Sequence, residues 1–233
     1  MPTSVELRRA SVIYPNGVKA LSDVDLTVTQ GEFVFLVGPT GHGKSTLLKL
    51  LYRDESPSRG EVLVFGWDVA KLSPGRVAHL RRRVGVIFQD CRLLPRTAWE
   101  NVAFALHATG STYRQVLRSV PRALAEVGLL DKADDYAAEL SAGEQQSLAL
   151  ARVLALRPPL ILADEPTGNL DPDSSAHVMS LLSKANRAGA TVIMATHDPS
   201  LVNRFRKRVI ALRDGAIFSD VPSGGYPDDL DGD

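Results

Sequence analysis

The sequence predicts an α/β fold: a parallel-sheet core, an antiparallel β segment at its front and a helical lobe inserted in its middle. Three observations carry this expectation. Strand-length apolar runs alternate with helical stretches (strand 33–37 then helix 44–52; strand 160–163, helix 174–186, strand 191–195), which implies parallel strands joined by helices. Near the start, Val5 and Leu7, then Val24, Leu26 and Val28, alternate with polar residues as half-buried strands do. Between 98 and about 130 the spacing turns helical, with Val102, Leu106, Val116, Leu117, Leu124 and Val127 three or four residues apart.

In chain order, the run 33–37 is continuously apolar, as expected of a strand covered on both faces. A glycine-rich turn follows, then a buried helix carrying Leu47, Leu48, Leu50 and Leu51, and a short strand pair near 61–65. Pro121 is expected to break the helical middle and start a new helix, because proline disrupts a helix interior. A strand pair at 208–212 and 216–218 closes the domain, which is expected to span 1–220 with a helical subdomain at about 90–156. The remainder, 221–233, carries Asp228, Asp229, Asp231 and Asp233 and reads as an acidic, disordered tail.

Composition narrows the function classes. In 233 residues, 27 Lys and Arg balance 27 Asp and Glu, which argues against a general electrostatic grip on nucleic acid or anionic lipid and leaves room only for a local basic patch. No apolar run approaches the roughly 18 to 20 residues that span a bilayer. Met1, Pro2, Thr3 and Ser4 lack the blocks of a secretory signal, so a cytosolic protein is expected. The single cysteine, Cys91, excludes an internal disulfide framework and any multi-cysteine metal site.

The strongest chemical signal is Gly38, Pro39, Thr40, Gly41, His42, Gly43, Lys44, Ser45, Thr46, a G-x-x-x-x-G-K-[ST] loop between an apolar strand and a helix. Glycines let backbone N–H groups wrap a phosphate, and the helix N-terminus adds its dipole. Lys44 would reach the β- and γ-phosphates and Ser45 would offer a hydroxyl to Mg²⁺. Asp164 ends a buried apolar strand, where a carboxylate is costly unless it serves a cation, and Glu165 can polarise a water at the γ-phosphate. His197 closes another apolar strand, at the strand ends that gather around a ligand crevice. Gln89 follows the run 84–88, where its amide can meet Mg²⁺ or the attacking water. Ser141 and Gly143 open a long helix, either as a second phosphate-binding feature or as a simple cap. Tyr14 can stack on a base or pack within a sheet. His79, His107 and His177 read as surface residues, and the clusters 81–83 and 204–208 as solvated basic faces.

Together these segments resemble the nucleotide-binding subunits of the ATP-binding cassette (ABC) family over about 5–218. The resemblance supplies a role for each: Tyr14 on the adenine, 38–46 as the Walker A loop, and Gln89 as the Q-loop glutamine. Leu140, Ser141, Ala142, Gly143, Glu144 and Gln145 stand as the signature, Asp164 and Glu165 as Walker B and catalytic carboxylate, Asp171 in the D-loop, and His197 as the switch histidine. It implies a P-loop NTPase (RecA-like) core with an antiparallel β subdomain and an inserted α-helical subdomain. It also implies Mg²⁺-dependent ATP hydrolysis by a head-to-tail homodimer, in which the signature of one copy faces the Walker loop of the other.

The run Ala163, Asp164, Glu165, Pro166, Thr167, Gly168, Asn169, Leu170, Asp171 narrows the resemblance to lipoprotein-release, macrolide-export and cell-division ATPases. Phe88 to Asp90, Leu93 to Pro95, Glu100 to Ala103 and Met194 to His197 look most like the cell-division members. That implies a peripheral protein at the cytoplasmic face of the inner membrane, held by an integral membrane partner through the region after Gln89, with no nucleic acid; the alternative is a lipoprotein-release or macrolide-type exporter. In this family's terms Ala142 replaces a usual glycine, Ser147 a common arginine, and the segment after Pro95 is shorter than usual.

Overall fold

The computed structural model describes residues 2–227. Strands β1 (Thr3–Ile13) and β2 (Lys19–Thr29) form a hairpin; β3 (Phe33–Val37) then leads through the glycine loop into α1 (Lys44–Leu51). β4 (Arg59–Val64) and β5 (Trp67–Asp68) return to the first sheet, and α2 (Pro74–Arg82) precedes β6 (Val84–Ile87). The helical lobe comprises α3 (Ala98–Ala108), α4 (Tyr113–Glu126) and α5 (Ala142–Leu154). β7 (Leu160–Asp164), α6 (Pro172–Arg187), β8 (Thr191–Ala195), α7 (Pro199–Phe205), β9 (Arg208–Arg213) and β10 (Ala216–Val221) complete the chain.

Four strands make an antiparallel sheet in the order β2-β1-β4-β5, and six make the core sheet, β10-β9-β3-β8-β7-β6. In the core sheet β9, β3, β8, β7 and β6 run parallel, and β10 is an antiparallel edge. Because side chains alternate across a strand, β3 serves two cores. Phe33, Phe35 and Val37 pack with the helical lobe, α6 and α7, while Val34 and Leu36 pack with α1 and the antiparallel sheet. The neighbouring strands divide in the same way, Ile161 and Ala163 to the lobe side, Leu160 and Leu162 to the other. A buried hydrogen bond between Ser4 Oγ and Thr191 Oγ1 (2.9 Å) joins the two sheets, and Gly31 N–H donates to the same Thr191 oxygen.

The parallel register sets the strand ends level. Leu36 pairs with Ala195, and Ala195 with Asp164. Beyond the last pairs, Thr196 N–H donates to Leu36 O (3.1 Å) and Glu165 N–H to Ala195 O (3.0 Å). Gly38, Glu165 and His197 therefore leave the sheet side by side, at the carboxyl edge where α/β sheets bind ligands.

Two expectations need correction. Pro121 does not start a helix: α4 runs continuously from Tyr113 to Glu126 with the proline inside it. A capping box between Thr112 and Gln115 opens the helix well upstream. Its apolar face (Val116, Val120, Ala123, Leu124) is buried on both sides of the proline. Burial worth about 1.5 to 3 kcal/mol per large side chain outweighs a proline cost of about 3 kcal/mol. The boundary at 220 falls inside β10, and the chain stays attached beyond it. Gly224 N–H donates to Lys207 O, Tyr226 N–H donates to Asn203 Oδ1 (2.8 Å), and Tyr226 packs against the lobe-side core. The rest of the expected tail, 228–233, lies outside the described residues.

In the basic clusters Arg81, Arg82, Arg204 and Arg206 are exposed, as expected, but several arginines are engaged. Arg81 donates to the Tyr52 and Arg53 carbonyls, Arg83 covers the Phe65 ring, and Arg208 pairs with Asp220 and Glu32.

Pro121→Ala should restore the helical N–H at that position and raise stability by up to about 3 kcal/mol in urea unfolding. An unchanged or lower midpoint would show that α4 carries no proline penalty.

Candidate functional site

The phosphate loop is defined by close backbone approaches. Gly38 has φ +145°, and a side chain there would begin 2.3 Å from Leu212 O; at Gly43, φ +97°, it would begin 2.3 Å from Ala20 O. Only glycine fits either position. Gly43 caps α1 without a side-chain acceptor, which leaves the leading N–H groups of the helix for a phosphate. Lys44 is buried, and its Nζ donates to Gly38 O (2.6 Å) and Pro39 O (3.0 Å) at the centre of the loop. Burial pulls the Lys44 pKa down, opposed by the carboxylates of Glu165 and Asp164. His42 Nδ1 accepts the Asp214 N–H (2.9 Å), which ties the loop to the β9–β10 turn. Tyr14 lies just past β1, half-buried against the antiparallel-sheet core, its hydroxyl 3.1 Å from Thr46 Oγ1.

Beside the loop, Ser45, Gln89, Asp164 and Asn169 line a cleft of about 450 Å³. A hydroxyl, two amides and a carboxylate form an oxygen donor set that fits a hard cation such as Mg²⁺. Among the described residues no group of three His, Cys, Asp or Glu side chains could hold a metal alone. Next to Asp164, Glu165 adopts φ +48°, a left-handed conformation rare for a residue with a side chain. Its N–H bond to Ala195 O and the Gly168 N–H bond to its carbonyl hold that turn. The turn aims the carboxylate at the end of β8, where Glu165 Oε2 lies 2.9 Å from His197 Nδ1.

The signature segment does not line this cleft, but Ala142 and Gln145 line a smaller pocket with Gln89, Glu165 and Asn169. Ser141 caps α5 by accepting the Glu144 N–H, while Glu144 Oε2 accepts the Ser141 N–H and hydroxyl (both 2.9 Å). Lys132 Nζ meets the other Glu144 oxygen at 2.6 Å. Ala142 begins the helix at negative φ, so the missing glycine costs no backbone strain. Gly143 presses on α6, where a side chain would begin 2.5 Å from Ser174 Oγ. That hydroxyl donates to Asp171 Oδ2 (2.6 Å), and Asp171 caps α6, so the signature and D-loop segments touch within one chain. Ser147 is buried in α5.

Some residues that position the site escaped the sequence reading. Asn101, fully buried, accepts the Leu94 N–H and donates to the carbonyls of Leu94, Arg96 and Thr97, and so shapes the segment before α3. Cys91 and Arg92, both at positive φ, are pinned to α5: the Cys91 thiol donates to Gln146 Oε1 (2.7 Å) and Arg152 donates to Arg92 O (2.7 Å). Burial pushes the Cys91 thiol pKa up, which keeps it protonated as a donor. Asn101 lay in a recognisable run, but nothing at Gln146 or Arg152 signals a contact so distant in sequence. A further cavity of about 590 Å³ lies elsewhere, lined by Leu154, Pro159, Lys184 and Ala188, and holds none of the motif residues.

A glycine phosphate loop, a carboxylate and an imidazole at level strand ends, and a signature helix outside the cleft define an ATP-binding cassette. The ABC transporter family profile matches residues 21–168, and the chain belongs to that family of ATPases. Its curated relatives include the cell division ATP-binding protein FtsE of Bacillus subtilis (45% identical; 95% of this chain, 98% of the relative). The FtsE proteins of Mycobacterium tuberculosis (48%; 89% and 90%) and Escherichia coli K12 (43%; 93% and 98%) match similarly. Among solved structures, a dimeric post-hydrolysis ATP-binding cassette bound to ADP and Pi superposes with TM-score 0.87 at 34% identity, covering 95% of this chain and 100% of that one.

Glu144 is held at about 2, from an ordinary 4.5, by the Lys132 hydrogen bond and then by Ser141. A depressed folded pKa contributes stability that is complete above 4.5 and lost as pH falls toward 2. Thermal unfolding of wild type against Glu144→Gln should show a gap at neutral pH that closes across that window. A gap that persists at pH 2 would contradict the assignment.

Proposed function

We propose that the chain hydrolyses ATP as a Mg²⁺-dependent motor subunit, with each site completed by a second copy. The observation that carries this is the Glu165–His197 pair at 2.9 Å, standing at the strand ends beside the phosphate loop. In this reading the loop N–H groups and Lys44 bind the β- and γ-phosphates. Ser45, Gln89 and Asp164 would hold Mg²⁺, which would supply neutralisation of developing phosphate charge. Glu165 accepts a hydrogen bond from the attacking water and draws its proton, and His197 orients the carboxylate and reaches the γ-phosphate. Tyr14 supports the base. Ser141 and Gly143 of the opposite copy cover the γ-phosphate, and Asp171 links the two sites. Neither Ser141 nor Gly143 lines the cleft of its own chain, which favours this division of labour.

The FtsE relatives at 43–48% identity support a further reading. In it the motor serves bacterial cell division, peripheral to the inner membrane through an integral (FtsX-like) partner that docks on the segment after Gln89, and controls septal cell-wall hydrolysis. No helix among the described residues is long and apolar enough to cross a membrane, so membrane attachment would come through that partner. Isolation of the complex from membranes tests this reading: a division-type partner supports it, and a lipoprotein or drug exporter overturns it.

Glu165→Gln should lower Mg²⁺-dependent phosphate release on the order of 100-fold or more while nucleotide binding persists. Unchanged turnover would remove Glu165 from the catalytic role.

A further inference from the structure

The chain is electrically neutral overall, yet 101–125 contains no Asp or Glu and three arginines, Arg114, Arg118 and Arg122. All three are exposed on α4, and none makes an ion pair or hydrogen bond among the described residues. At four-residue spacing they form one row along the helix. A second row, Tyr113, Leu117 and Pro121, runs directly beside it at the same spacing. Tyr113 is 70% and Leu117 47% exposed, and Phe104, 50% exposed, points away from the core on adjoining α3. The flanking carboxylates are engaged elsewhere: Glu126 pairs with Lys184, and Glu100 closes the cap of α3.

We propose that the outer face of α4 binds an anionic lipid surface. Parallel basic and apolar rows on one convex helix face suit a fluid, planar array of phosphate headgroups, where arginines reach the phosphates and the apolar row sinks among the upper acyl carbons. A protein partner would instead call for a shaped groove or a matched set of side chains. The lobe opens at Ala98, directly after the segment proposed to meet the membrane partner. That one argument rests on the partner reading; the charge and exposure do not. Three arginines give a weak, salt-sensitive contact that would orient the lobe against the membrane rather than anchor it.

Co-sedimentation of the purified full chain with vesicles tests this without any partner protein. Phosphatidylglycerol-rich vesicles should retain about tenfold more protein than pure phosphatidylcholine vesicles at low salt. Combined Arg114→Glu, Arg118→Glu and Arg122→Glu should abolish the difference, and Leu117→Ser should weaken it, with ATPase rate and melting temperature unchanged in both. Equal retention by the two vesicle types, full retention of the triple variant, or tighter binding to soluble polyglutamate than to vesicles would overturn the proposal. ATPase activity in the same samples keeps this outcome separate from the catalytic reading.

Discussion

The register of three parallel strands sets where the strand-end site residues sit. With Leu36 opposite Ala195 and Ala195 opposite Asp164, β3, β8 and β7 end at one level. A slip of one residue would turn Phe35, Met194 and Ile161 away from the lobe-side core, so burial on both faces fixes the register. The chemistry inherits that precision. Gly38 and Glu165 come directly after a strand and His197 two residues after one, so no long loop intervenes to blur their placement. Strained positions help to shape the site: the left-handed Glu165 and the glycines wedged against Leu212 and Ala20.

The helical lobe answers a different requirement. It holds Ser141 and Gly143 on a helix whose first turn is secured by Glu144 and Lys132, away from the cleft around Ser45 and Asp164. The segment that follows Gln89 is tied to that same helix through Cys91, Gln146 and Arg152. A displacement of the lobe would therefore pull on Gln89, which lines the cleft. On the proposed reading, this is how closure by a second copy and the state of the nucleotide would be felt in the docking segment.

Much of this was legible in the sequence because the signals are local. The apolar run 33–37 and the glycines after it announce a strand, a turn and a helix in close succession, and the structure has Phe33–Val37 and Lys44–Leu51 there. Asp164, Glu165 and His197 were visible as polar residues closing apolar strands. Pro121 misled because a local rule was set against tertiary burial on both sides of it, and burial won. The chain beyond 220 misled because acidic composition at its end hid the contacts of Tyr226. Gln146 and Arg152 stayed silent since their partners lie 55 and 60 residues away, a distance that periodicity cannot bridge.

Whether one chain carries two unlike half-sites, as proposed, can be decided by mixing two variants that are each inactive. One carries Lys44→Ala with its signature intact; the other carries Ser141→Arg with its phosphate loop intact. The mixture should regain ATP hydrolysis, because a mixed pair assembles one site from the intact loop of one copy and the intact signature of the other. A mixture as inactive as its components, with both variants folded and able to associate, would contradict it.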